Sequence, residues 1–315
     1  MNTFLQNLRT RATDGRLRKI ILPEANDERV LAAAKIIVKE KIATPVFVEI
    51  KEERADALAK LLLEIRSSKI GTKDELTDEA AHRLAHDPLM YGMYLLRIGE
   101  ADGLVAGAIY PSADVIRAGL WLIGKAEGIE TVSSSFYMIV PPFRGGSEEV
   151  LIFSDCAVVP EPTSNQLADI AIASADARSL IVGDEPRVAL LSYSTKGSGG
   201  DGESVAIVRE ALELVRARRP KLIIDGEIQA DAALVKSISE RKAPGDLIGG
   251  KANVLIFPSL DAANISYKLI ASLVPGAQAL GPILQGMKKP ISDLSRGVQV
   301  EEIVSIISIV ASEAQ

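Results

Sequence analysis

Short apolar runs recur along the chain at 19–22, 45–50, 103–108, 136–140, 150–153, 187–192, 221–224 and 252–257. Their length and their content of Val, Ile and Leu predict β-strands. Between several of them lie longer segments with apolar positions three and four apart, at 28–41, 164–180, 204–218 and 229–240, which predict helices. Strand alternating with helix predicts βαβ units, hence an α/β fold with mostly parallel sheets covered by helices. Val150-Leu151-Ile152-Phe153 and Leu222-Ile223-Ile224 carry no alternating polar residues, as expected of strands buried on both faces. In such sheets ligands sit beyond the carboxyl ends of the strands, so the residues just after each run are the ones to inspect.

The last segment, 298–311, is rich in β-branched residues, yet Glu301, Ser305, Ser308 and Ser312 are spaced by 4, 3 and 4 and form a helical stripe. Glu302 shares another face with Ile306 and Ile309, the side expected to be buried. At the other end, Phe4, Leu5 and Leu8 share one side of a predicted first helix. The basic residues Arg9, Arg11, Arg16, Arg18 and Lys19 are a weak echo of a transit peptide, but no long apolar stretch accompanies them. No run of apolar residues is long enough to span a membrane. Two stretches, 124–133 and 281–293, the latter with Gly281, Pro282, Gly286 and Pro290, read as crossings between domains.

Composition narrows the function classes. The 315 residues carry a net charge of -6, which argues against nucleic acid or an anionic membrane as partner. An anionic substrate therefore has to be held by local positive groups. Cys156 is the one cysteine, so no intrachain disulfide forms, which fits a cytoplasmic protein.

The richest strand end is Ser192-Tyr193-Ser194-Thr195-Lys196-Gly197-Ser198, followed by Gly199, Gly200 and Gly202 and then a predicted helix. Glycines let successive N–H groups converge on an anion, a helix N-terminus adds partial positive charge, and the hydroxyls and Lys196 add donors. The competing reading is an ordinary surface loop. Gly197, Gly199 and Gly202 also match G-x-G-x-x-G, with Asp225 ending a strand about 20 residues later. Ser194, Thr195 and Lys196 stand where that dinucleotide fingerprint has its first glycine, so an NAD-dependent oxidoreductase is the second reading. Asp155, Asp225 and Glu227 also follow or end apolar runs, where a carboxylate serves as base, ligand or helix cap. His82 and His86 stand at i, i+4 without a third metal ligand, so a solvated helix face is expected and no metal. Glu302, in the first turn of the last helix and just after Ser295-Arg296-Gly297, reads either as a catalytic carboxylate or as a partner of the helix dipole.

Together these blocks resemble the phosphate acetyl/butyryltransferase family, nearer its acetyl branch. The resemblance is carried by residues 189–198, 224–233, 250–258, 264–268, 281–286 and 293–297, with weaker matches at 21–24, 102–107 and 114–117, and it covers essentially the whole chain. It implies a two-domain fold like that of the isocitrate and isopropylmalate dehydrogenases, a homodimer, and an active site in the cleft between domains. Domain I would comprise 1–128 plus 284–315, and domain II 129–283. The implied reaction is reversible: acetyl-CoA and phosphate give acetyl phosphate and CoA, by direct transfer in a ternary complex and without a cofactor. Glu302 matches the position of the family's aspartate base, Arg296 the active-site arginine, and Ser295 the serine that stabilises the acyl oxygen. Arg117 and Arg66 align with further arginines, and the 192–198 loop becomes the phosphate cradle. Cys156 matches no nucleophile. The departure at Asp261-Ala262-Ala263 leaves open a preference for propionyl or butyryl groups, while that at Val298, where the family often has a cysteine, removes a thiol without touching the proposed base. A non-catalytic acyl-CoA-sensing module, as found fused to malic enzymes, is the remaining alternative, disfavoured because Ser295, Arg296 and a carboxylate at 302 are all present.

Overall fold

A computed structural model describes residues 3–13, 16–67 and 76–314. The chain divides into two compact units, one of residues 5–126 with 287–315 and one of residues 1–4 with 127–286. In chain order the elements are α1 (Thr3–Thr13), β1 (Arg18–Leu22), α2 (Glu28–Lys39), β2 (Ala43–Phe47), α3 (Glu52–Ser67), α4 (Asp78–Ala85), α5 (Pro88–Arg97), β3 (Gly103–Ala106), α6 (Ser112–Leu122), β4 (Ser133–Val140) and β5 (Glu149–Ser154). There follow α7 (Ser164–Ala177), β6 (Arg187–Leu191), α8 (Glu203–Arg218), β7 (Ile223–Ile228), α9 (Ala230–Leu234), α10 (Lys236–Lys242), β8 (Val254–Ile256), α11 (Leu260–Leu273), β9 (Gln278–Gln285), β10 (Ile291–Asp293) and α12 (Val300–Glu313).

The unit of 5–126 and 287–315 is built on the strand order β2-β1-β3-β10, every pair parallel. Parallel pairing makes β1, β3 and β10 end side by side. That delivers three loops to one edge: 23–27 after β1, 107–111 after β3, and 294–299 after β10. The other unit orders its strands β9-β4-β5-β8-β6-β7, with β4 antiparallel to both neighbours and the remainder parallel. The α/β class and the mostly parallel pairing expected from the sequence are what the structure shows.

Helix boundaries follow local chemistry. Asp27 caps α2 by accepting from the N–H groups of Arg29 and Val30. Thr163 and Gln166 close a reciprocal capping box on α7. The last helix, α12, is buried on nearly all sides from Ile303 to Ser312, so its serine stripe does not face water. Ser305, Ser308 and Ser312 donate instead to the carbonyls of Glu301, Val304 and Ser308, four residues back.

One expectation needs correcting. The predicted helix 229–240 is two short ones, because Val235 is extended at φ -121° and ψ 115°. The stretch 281–293, read as a crossing, does hold a break between the two compact units, between residues 286 and 287, and also carries part of β9 and all of β10. Gly281 disguises β9. It lies at φ +152°, and a Cβ there would come within 2.7 Å of the Ser135 carbonyl oxygen, so the pairing with β4 shifts register at that point.

Gly107, just past β3, is the tightest glycine among the described residues of the unit of 5–126 and 287–315. It sits at φ +113°, and a Cβ would lie 2.2 Å from Asp293 Oδ1 and 2.6 Å from the Leu294 nitrogen. Gly107→Ala should therefore lower unfolding free energy by at least about 2 kcal/mol in urea titration. A loss below about 0.5 kcal/mol would show that the contact relaxes freely.

Candidate active-site segments

The Ser295-Arg296-Gly297 turn follows directly from β10. The Val298 N–H donates to the Ser295 carbonyl at 2.9 Å, closing a four-residue turn with Arg296 and Gly297 at its centre. Ser295 Oγ accepts from the Gly297 N–H at 3.3 Å, which leaves the hydroxyl hydrogen free to donate. Ser295 and Arg296 are exposed, and the Arg296 guanidinium has no partner among the described residues. An unpaired guanidinium beside a free hydroxyl, at the carboxyl end of a parallel strand, is suited to a small oxyanion.

Glu302 is half-buried, and one of its carboxylate oxygens accepts from the Gln299 N–H at 2.7 Å. It therefore caps the helix on which it stands. The second oxygen, Oε1, has no partner among the described residues.

Behind the turn lies a group that sequence reasoning quoted but gave no role. The Asp293 side chain is fully buried, and neither carboxylate oxygen has a well-formed hydrogen bond among the described residues. Burial pushes its pKa up to about 7; the Ser112 hydroxyl and the Leu294 N–H oppose the rise, and the nearby Glu24 charge adds to it. Ser112 opens α6, so the helix that carries Arg117 begins beside this turn. Arg117 lies about 7.5 Å further along the axis and pairs with Asp114 at 2.7 Å. The Arg66 guanidinium lies 5.0 Å from the ring centroid of Trp121, one turn beyond Arg117 on α6. The two arginines expected at the site thus attach to the same helix.

The 192–198 loop, in the other unit, is organised differently from the expected anion cradle. Every backbone N–H from Ser194 to Gly200 already has an acceptor within the loop and β7. Ser194 N–H goes to Ser192 Oγ, Thr195 to Ser198 Oγ, Gly199 to Ser194 Oγ, and Gly197 to Glu227 Oε1. Those of Lys196, Ser198 and Gly200 go to the carbonyls of Glu227, Thr195 and Gly197. The nest is filled by the protein's own Glu227. That carboxylate is buried and also takes the Ser194 hydroxyl at 2.9 Å and two bonds from Arg209. Burial opposes its ionisation, but Arg209, the Gly197 N–H and the Ser194 hydroxyl together bring its pKa down to about 2.

Lys196 is likewise committed, its ammonium paired with Asp225 and donating to the Gly226 carbonyl at 2.9 Å. The expectation of a backbone phosphate cradle is thereby corrected: β7 runs through Asp225-Gly226-Glu227 beside β6, and its acids reach the loop first. What the loop still offers are the hydroxyl hydrogens of Ser192, Thr195 and Ser198 and the exposed Tyr193 ring. The same contacts answer the dinucleotide reading. Asp225 is buried against Lys196, Arg216 and the N–H groups of Gly226 and Leu247, not presented to a ribose.

Other candidates fall away on position. Cys156 is buried, and burial first, with the Asp155 charge second, pushes its thiol well above the ordinary range, so it is no nucleophile. His86 pairs with Glu52 at 3.1 Å and His82 lies 3.8 Å from Asp56, both at exposed positions. No helix among the described residues is long and apolar enough to cross a membrane.

Comparison with known proteins decides what these segments belong to. The sequence signature of the family described as Phosphate acetyl/butaryl transferase matches residues 3–311. The chain belongs to this family. It is 43% identical to the phosphate acetyltransferase of Treponema pallidum, covering 98% of this chain and 97% of that one. A crystal structure of a phosphotransacetylase from Streptococcus pyogenes superposes with a TM-score of 0.88 at 35% identity, over 100% of this chain and 99% of the other. At the level of fold alone, a 4-hydroxythreonine-4-phosphate dehydrogenase from Burkholderia phymatum aligns over 95% of this chain and 98% of its own, with a TM-score of 0.52 at 13% identity. The dehydrogenase-like architecture expected from the sequence is thus shared.

Glu227, a carboxylate whose pKa falls from 4.5 to about 2 on folding, stabilises the native state above pH 4.5, and that contribution is lost as pH falls toward 2. At pH 7 the shift of about 2.5 units corresponds to about 3 kcal/mol. Glu227→Gln should show a deficit of that order in chemical unfolding at pH 7, shrinking steadily below pH 4.5. A deficit independent of pH would contradict the charge-based account.

Proposed function

We propose that this chain transfers an acetyl group reversibly between coenzyme A and inorganic phosphate, as a phosphate acetyltransferase. The observation that carries the reading is the exposed Ser295–Arg296 pair just past β10, whose guanidinium has no partner among the described residues, in a chain that belongs to this family. In the direction of acetyl-CoA formation, the CoA sulfur attacks the carbonyl carbon of acetyl phosphate. The S–C bond forms, the C–O bond to phosphate breaks, and the thiol proton passes to Glu302. A thiol of pKa near 8.5 needs such a base at neutral pH. Arg296 holds the departing phosphate on its planar fork, and Ser295 donates to the acyl oxygen as charge develops there. Arg66 and Arg117 take phosphate groups of the substrates. The 192–198 loop contributes hydroxyls rather than amides. With Cys156 protonated and buried, transfer is direct, in a ternary complex and without an acyl-enzyme.

Glu302 has two readings, helix cap and base, and one substitution separates them. Gln retains an oxygen that accepts the Gln299 N–H but cannot take a proton. Glu302→Gln should keep wild-type thermal stability while lowering kcat at least tenfold, and Arg296→Gln should lower kcat/KM for phosphate at least tenfold, about 1.4 kcal/mol of transition-state stabilisation. Phosphate-dependent thiol release from acetyl-CoA measures both. Near-normal rates in either variant would remove that residue from the site.

The assembly proposed is a homodimer in the cytoplasm. Ile265, Leu269 and Leu273 lie four residues apart on α11 and are 57%, 52% and 73% exposed, an apolar stripe that water disfavours. The single reduced cysteine fits the compartment. Light scattering should report a dimer for the native chain and a monomer for Leu269→Glu. A monomeric native chain, or a dimer undisturbed by Leu269→Glu, would refute this interface.

A further inference from the structure

We propose that Arg29 is a positioning residue that fixes the Ser295-Arg296-Gly297 turn for anion binding. The inference rests on the reading of Arg296 as the phosphate ligand. A guanidinium carries five N–H donors in one plane, and Arg29 uses five contacts. Nε and Nη2 grip the two oxygens of Asp27 at 3.1 and 2.7 Å. Nη2 also donates to the Ala108 carbonyl at 3.0 Å. Nη1 donates to the carbonyls of Arg296 at 2.7 Å and Val298 at 3.2 Å, one on each side of Gly297.

The anchor is itself fixed. Asp27 caps α2, so its rotamer is held by the N–H groups of Arg29 and Val30 while its oxygens hold the fork. The loop on the far side is fixed as well: Glu24 accepts the four N–H groups of Gly107, Ala108, Ile109 and Tyr110. The connector after β1 therefore grips the 107–110 loop by its amides through Glu24, and the first turn of α2 grips it by a carbonyl through Arg29. With the same guanidinium it ties that loop to the turn after β10. Among the described residues Arg296 has no side-chain partner, so the direction of its Cα–Cβ bond is set by its backbone, and Arg29 holds that backbone. Arg29 does not serve as a phosphate ligand, because each of its donors is engaged. A lysine could not replace it, having no planar fork to bind a carboxylate and three carbonyls together.

The test compares Arg29→Gln, Arg29→Lys, Arg296→Gln and the double variant Arg29→Gln/Arg296→Gln in steady-state kinetics and thermal unfolding. Arg29→Gln should raise KM for phosphate about tenfold while KM for acetyl-CoA changes less than about threefold, and Arg29→Lys should recover little of the loss. In the double variant the two losses should not multiply, since Arg29 acts through Arg296. Should Arg29→Gln fail to fold, Arg29→Lys carries the same expectation for the two KM values. Equal losses for both substrates, full multiplication in the double variant, or wild-type kinetics in Arg29→Lys would each overturn the proposal. Normal Arg29→Gln kinetics beside an impaired Arg296→Gln would overturn this role alone, whereas normal phosphate kinetics in Arg296→Gln would overturn the phosphate reading with it.

Discussion

Glu24 collects the N–H groups of four consecutive residues, Gly107 to Tyr110, on one buried carboxylate. Four amides converging after a strand would ordinarily form an anion site. Here the protein supplies the anion. That interaction closes the end of β3 and lets Gly107 press against Asp293 at the end of β10. Three parallel strands end side by side, but only this bracing makes their loops a defined surface instead of three separate turns.

The same device recurs in the other unit. Glu227 fills the glycine loop after β6, and Asp225 holds the loop's lysine. In both places an internal carboxylate consumes backbone donors that sequence alone offers to a ligand. The contrast with Arg296 is then informative. Among the described residues the loop lysine and Arg29 are paired, whereas the Arg296 guanidinium is not. A cation left unpaired at a strand end, in a protein that pairs so many of its others, is where the proposed phosphate would complete the charge balance.

Much of the fold was legible because its signals are local. Apolar runs without alternation located the parallel strands, and Asp27 and Thr163 began their helices where capping chemistry predicts. β9 escaped because Gly281 and Pro282 are loop residues by propensity, and only the close approach of the Ser135 carbonyl explains them within a strand. Of the proposed site residues, Ser295 and Arg296 stand in the ordered blocks of sequence and Glu302 five residues after Gly297. The role of Arg29 was not legible, because it is written in carbonyls 79 and 267 residues away, and backbone acceptors leave no mark in residue identity. The filling of the glycine loop was hidden for a related reason. Asp225 and Glu227 were noted at the end of an apolar run, but that they point at the loop follows from β6 and β7 being neighbours.

The central claim is that the turn after β10 holds inorganic phosphate beside the acyl group. Its most direct test is a crystal structure of the protein with phosphate and coenzyme A bound. The account predicts phosphate oxygens about 2.7–3.0 Å from the Arg296 guanidinium, with Ser295 Oγ in reach of the acyl position and the Arg29 contacts to the turn intact. Phosphate bound elsewhere, with Arg296 still facing solvent, would contradict it.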